Sequence, residues 1–168
     1  CFVGIIGYPA PQQERTGHDL TYQGDLGLLR PPQMPPTLFV DLAGAERAVS
    51  MALALLNRAA RGGDAGCAWV SLYESARELA APLRAGLTTS DGLLGGAYPL
   101  YGFYRANDGW IAIAALEPHF AEKLLSELGL KKAERTALER VFLQRKAASW
   151  EKWAAELDLP LVAVREAE

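Results

Sequence analysis

The sequence predicts an α/β chain, and three observations carry that expectation. The chain opens on an apolar run of strand length, Phe2-Val3-Gly4-Ile5-Ile6-Gly7-Tyr8. From Leu42 to Ala60 the apolar residues recur at helical spacing. Asn107-Asp108-Gly109 sits between two further apolar runs and is a strong β-hairpin signal. With 168 residues, 50% of them hydrophobic and 22% charged, the chain has a globular composition and can bury a core.

After the first strand, Pro9-Ala10-Pro11-Gln12-Gln13-Glu14-Arg15 disfavours helix and reads as a polar loop. It delivers Gly17-His18-Asp19, where Asp19 is placed to cap a short helix reaching Leu29. Pro31-Pro32-Gln33-Met34-Pro35-Pro36 then forces an extended connection. The following helix has Leu42, Val49, Met51, Leu53, Leu55 and Leu56 at its apolar positions and a Gly62-Gly63 stop, and is expected to be long and mostly buried. Asp41 stands at its start, where a carboxylate can accept backbone N–H bonds and meet the positive end of the helix dipole.

Cys67-Ala68-Trp69-Val70-Ser71-Leu72 reads as a strand, followed by a helix from about Tyr73 to Ala81 that Pro82 should end or kink. Gly86 to Ala97 is a glycine-rich loop. The hairpin strands are Tyr101–Arg105 and Trp110–Ala115, and Glu117 opens a helix with Pro118 in its first turn. Helices near Lys131–Gln144 and Ser149–Leu157 and a strand at Pro160–Val164 complete the pattern. The expected organisation is two parts: residues 1–85 with the long helix, and a smaller α+β domain over residues 86–168 with the hairpin and C-terminal helices.

Composition narrows the function. A net charge of −3 leaves no basic footprint for nucleic acid. The apolar stretch Ala48–Leu56 is far short of the ~20 residues needed to span a bilayer, so no membrane partner is expected. Two cysteines, Cys1 and Cys67, and two distant histidines supply neither a disulfide framework nor a metal set. A reducing, cytoplasmic setting is the default expectation. Cys1 in place of an initiator Met, with a strand beginning at once, reads as a piece of a longer chain, and no charged n-region or cleavage site marks a signal peptide.

Few side chains offer chemistry. An imidazole can take or return a proton at working pH, so His18 suits acid/base catalysis, and equally a structural histidine bonded to backbone. Asp41 lies among Phe39, Val40, Leu42 and Ala43, and a buried carboxylate needs a reason; a plain N-cap is the alternative. Glu117 could orient an imidazole or simply favour a helix start. Gly95-Gly96 could admit a bound molecule to the backbone or supply a turn. Tyr101 and Tyr104 fit a pocket or a hairpin core, His119 a surface position, and Trp150 and Trp153 packing at i, i+3.

Five ordered blocks resemble the family III CoA-transferases (CaiB/BaiF), nearest to the 2-methylacyl-CoA racemase branch. They are Gly17-His18-Asp19-Leu20-Thr21-Tyr22-Gln23, Asp41-Leu42-Ala43-Gly44, Gly95-Gly96-Ala97-Tyr98-Pro99-Leu100-Tyr101, Tyr104-Arg105-Ala106-Asn107-Asp108-Gly109 and Ala112-Ile113-Ala114-Ala115-Leu116-Glu117-Pro118-His119-Phe120. The resemblance implies the central-to-C-terminal portion of that fold, a Rossmann-like large domain plus a small α+β domain, with the N-terminal Rossmann half lying before Cys1. It also implies an interlocked homodimer binding acyl-CoA thioesters between subunits, with coenzyme A as part of the substrate and no covalently bound cofactor.

Residue by residue, the resemblance makes His18 and Asp41 acid/base partners on opposite faces of the substrate α-carbon, with Glu117 holding the histidine. Asp19, Tyr22, Gly95, Gly96 and Tyr101 fall at substrate- or CoA-binding positions. The enolate oxygen would be met by backbone N–H groups at the start of the Leu42 helix. In the transferases, the aspartate matched by Asp41 is instead a nucleophile that forms an aspartyl-CoA thioester. A non-catalytic CoA-binding domain is the third reading.

Overall fold

The computed structural model describes residues 1–165. The chain divides into two compact units, Cys1–Arg84 and Ala85–Glu168.

In the first unit, β1 (Phe2–Ile6) and β2 (Cys67–Ser71) pair in parallel from Phe2↔Cys67 to Ile6↔Ser71. A parallel pair requires a crossover, supplied here by α1 (Asp19–Asp25) and α2 (Phe39–Ala60). α1 ends four residues earlier than the sequence suggests, because Gly27 takes a left-handed φ of 71° just past the Leu26 cap. α3 (Leu72–Leu79) leaves β2 directly. The Ser71 hydroxyl accepts the Glu74 N–H at 3.2 Å and donates to the Gly7 carbonyl at 2.8 Å, capping α3 and tying it to the end of β1. The helix breaks at Ala80 and restarts as α4 (Ala81–Arg84), with Pro82 in the first turn where its missing N–H costs least. The core of this unit is Tyr8, Tyr22, Val40, Ala43 and Ala76.

α2 corrects the expectation of a mostly buried helix. Only Val40, Ala43 and Gly44 are buried, while Leu42 is 57% and Leu53 61% exposed, with Val49 and Leu56 also open. The reason is reach. A 22-residue helix is about 33 Å long, and two five-residue strands of about 17 Å cannot cover it. Burial therefore concentrates in its first two turns, where Gly44 lets α2 approach α3: a Cβ there would stand 3.4 Å from Leu72 Cα.

The second unit is an antiparallel sheet in the order β3 (Tyr101–Arg105), β4 (Trp110–Ala114), β5 (Leu161–Ala163). The Asn107-Asp108-Gly109 hairpin forms, closed by the Ala106 N–H on the Gly109 carbonyl at 2.9 Å. α5 (Pro118–Glu127), α6 (Arg135–Phe142) and α7 (Ala147–Glu156) accompany the sheet. α6 begins later than Lys131 because Glu134 is extended at its N-cap. The Asp108 carboxylate accepts the Ala147 N–H at 2.8 Å, so the hairpin turn supplies the cap of α7. Registered residues share a face, and Tyr104, Ile111, Ile113 and Leu161 point into a core with Leu138, Phe142 and Trp150. Trp150 donates its indole N–H to the Phe142 carbonyl at 2.8 Å and meets Phe142 and Trp153 edge-on at 5.2 Å. The opposite face carries Tyr101, Phe103, Ala112 and Val162, with Phe103 66% exposed. Among the described residues, no helix is long and apolar enough to cross a membrane and no acid, His and Cys cluster could hold a metal ion.

Candidate functional site

His18 occupies the N-cap position of α1, the place the sequence offered to Asp19. Its backbone N–H donates to Thr21 Oγ1 at 2.9 Å, and that hydroxyl donates back to the His18 carbonyl at 2.8 Å. The backbone is thus satisfied by Thr21. The imidazole is exposed.

Asp19 does something different. It is 4% exposed, and its Oδ1 accepts the N–H groups of Val40 at 2.7 Å and Asp41 at 3.1 Å. Its Oδ2 accepts from the Gln23 side-chain amide at 2.5 Å, and Gln23 also reaches the Thr37 carbonyl at 3.4 Å. Asp19 therefore caps α2 from another helix, where a carboxylate faces the positive helix end. A substrate contact by Asp19 is at odds with this geometry, since the carboxylate is buried with both oxygens engaged.

α2 starts at Phe39, so Asp41 is its third residue, exposed, and not the cap. The expectation of a buried, capping Asp41 is corrected accordingly: the cap came from twenty-two residues away and left the Asp41 carboxylate in the open. The N–H groups foreseen for an enolate are also committed, those of Val40 and Asp41 to Asp19 and that of Leu42 to the Leu38 carbonyl at 3.0 Å.

Tyr22 is a core residue at this site. Its ring lies against Gly7 and Gly17, where an added Cβ would stand 3.3 and 2.7 Å from Tyr22 Cζ, and it meets Tyr8 edge-on at 4.9 Å. Burial, and next the Asp41 carboxylate, push its phenol upward, which marks Asp41 as an electrostatic neighbour of Tyr22. Tyr8 donates to Asp25 at 2.6 Å, and Arg15 pairs with the same carboxylate at 2.7 Å while lying over the Tyr8 ring at 4.3 Å. Burial and that hydrogen bond push the Tyr8 phenol up to about 12.

In the second unit, Gly95, Gly96 and Tyr101 line one cleft of about 710 Å³, with Phe103, Ala112 and Arg135 among its other walls. Gly95 is glycine because a Cβ would fall on the Thr89 carbonyl, and Gly96 because its φ is 106°. The Gly96 carbonyl accepts a hydrogen bond from Arg135, whose guanidinium also lies 5.3 Å from the Tyr104 ring centre. Glu117 is the exposed N-cap residue of α5 with Pro118 first in the helix, and its side chain makes no capping bond.

The structure thus gathers His18, Asp19, Tyr22 and Asp41 in one unit, and Gly95, Gly96 and Tyr101 in the other. Arg135 and Gln23 escaped the sequence reading. The i, i+4 spacing of Asp19 and Gln23 was a usable signal; nothing local marks Arg135, which meets Gly96 across thirty-nine residues.

The model of CoA-transferase family III matches residues 2–168. The chain belongs to that family. Among solved structures, a hypothetical protein of Mycobacterium tuberculosis, Rv3272, is similar at 21% identity and a TM-score of 0.80, over 98% of this chain and 52% of that one. Its orthorhombic form gives 22% identity and 0.80 over 98% and 51%. A CAIB/BAIF family protein of Brucella suis is similar at 24% identity and 0.68, over 98% and 52%. These likenesses show the family III fold, and the chain spans about half the length of the structures it matches. No curated protein gives a significant match.

Proposed function

We propose that the chain carries the acid/base residues of a CoA-thioester enzyme that racemises or epimerises a 2-methylacyl-CoA. The observation that supports this reading is the Asp19 bridge. One buried carboxylate, adjacent in sequence to His18, holds the backbone of Asp41, while both the imidazole and the Asp41 carboxylate stay exposed. Two-base chemistry needs two proton carriers with open side chains, and this contact between α1 and α2 carries an exposed imidazole on one helix end and an exposed carboxylate on the other.

In the forward direction the His18 imidazole removes the α-proton, and the C–H electrons move into the thioester carbonyl as an enolate. A protonated Asp41 carboxyl then returns a proton to the opposite face of the α-carbon. The product has the inverted centre, His18 holds the extra proton and Asp41 has lost one; the reverse reaction restores both. Glu117, Gly95, Gly96 and Tyr101 keep the roles that the family resemblance implies for them. Asp19 and Tyr22 enter as positioning residues. Coenzyme A takes part only as a portion of the substrate, and a homodimer in a cytoplasmic setting goes with this reading.

The second reading, acyl transfer through an aspartyl-CoA thioester, is favoured by one observation, the open Asp41 carboxylate at the start of α2. The deciding experiment is α-proton exchange of 2-methylbutyryl-CoA in D₂O, followed by NMR on the protein carrying this chain. Racemisation predicts exchange that falls by about a hundredfold or more in His18→Ala and in Asp41→Asn. Absence of exchange, together with a mass adduct of CoA on Asp41, would replace the racemase by the transferase.

A further inference from the structure

The cleft of the second unit has one charged wall residue, and the acid/base chemistry leaves it unused. Beside the Tyr101 phenol and the Ser90 hydroxyl, the rest of its lining is apolar or small, with Phe103, Ala112 and Val162 from the uncovered sheet face. Its volume of about 710 Å³ is that of a small-molecule site rather than of a packing defect. Arg135 stands at this wall, half-buried, bonded to the Gly96 carbonyl through one terminal nitrogen and set against the Tyr104 ring. Among the described residues no carboxylate pairs with it, although Glu139 lies one turn further along the same helix. A guanidinium carries five N–H donors in a planar fork, and the remaining ones suit a carboxylate or a phosphate.

We propose that this cleft binds an amphiphilic anion, with its hydrocarbon chain along the Phe103–Ala112–Val162 sheet face and its anionic head at Arg135. An apolar chain alone would gain by covering Phe103 and Val162, but it would further desolvate Arg135 without a partner. A small anion alone would leave the sheet face open. An amphiphile satisfies both. The inference rests on the proposed function only in treating the cleft bordered by Gly95, Gly96 and Tyr101 as part of the thioester site.

The test is titration of the full chain with octanoate, octyl phosphate and octan-1-ol, read by backbone amide shifts at Gly96, Ala112 and Val162. The expected result is saturable shifts there from both anions, and affinity about tenfold or more weaker for the alcohol. Whichever anion binds more tightly identifies the head group as carboxylate or phosphate, and either answer supports the site. Arg135→Gln should bring octanoate to the level of the alcohol. Because that change also releases the Gly96 carbonyl, Ala112→Phe serves as a second variant that fills the cleft with Arg135 intact, and it should abolish binding of all three. Equal binding of octanoate and octanol, an unaffected Arg135→Gln, or no shifts at these amides would overturn the proposal. Loss of α-proton exchange with anion binding retained would remove the racemase reading and leave this site standing.

Discussion

Asp19 Oδ1 lies 3.1 Å from the backbone nitrogen of Asp41, and 2.7 Å from that of its neighbour Val40. Through that contact a residue of α1 anchors the first turn of α2, and the carboxylate that holds the Asp41 backbone belongs to the residue next to His18 in sequence. The arrangement sets a buried, fully engaged carboxylate beside an exposed imidazole and an exposed carboxylate.

Removing the anchor should therefore act on stability and on the site together. Asp19→Ala leaves the buried Val40 N–H and the part-buried Asp41 N–H without their acceptor and takes from the Gln23 amide its shorter bond, a loss of about 2 kcal/mol. The urea midpoint should fall with an unchanged slope, and Asp19→Asn, which keeps an acceptor, should lose less. An unchanged midpoint for Asp19→Ala would remove the anchoring role.

Tyr8 predicts a loss of stability in alkali. Its phenol stands near 10 in an unfolded chain and is pushed up to about 12 by burial and by the hydrogen bond to Asp25. The neutral form is thus favoured by folding, so its contribution is complete below pH 10 and is lost as pH rises towards 12. The raised phenol of Tyr22 acts in the same direction. Urea melts between pH 9 and about 12 should show a steeper fall in the parent than in Tyr8→Phe.

Gly95 tests whether the glycine loop is built for its own packing. A methyl group there meets the Thr89 carbonyl, so Gly95→Ala should cost about 1–3 kcal/mol with no ligand present. A thermal midpoint equal to the parent's would show instead that the loop yields easily and that glycine serves only an incoming molecule.

The exposed side of α2 should tolerate polar change. Leu53→Gln keeps a good helix former at a position 61% open, and its effect should stay within about 0.5 kcal/mol in this chain. A loss of several kcal/mol would mean that the leucine is covered.

Much of the architecture was legible because it is local. The hairpin at Asn107-Asp108-Gly109, Pro118 at the head of α5 and the Pro82 interruption each follow from backbone preferences that a few residues carry. Burial and capping were less legible because they are relations. Leu53 has the spacing of a buried face, yet the strands below it are too short to cover it. Asp41 reads as a cap by its neighbours, yet the cap is Asp19, delivered by the fold of the proline-rich connection.

Family, α/β character and the places where the chain turns are written in residue type and short-range order. Tertiary structure alone decided which carboxylate is buried and which is free, and it alone set Arg135 beside the Gly96 carbonyl. Hydrogen bonding and desolvation act between groups brought close in space, and neither spacing nor composition records that approach.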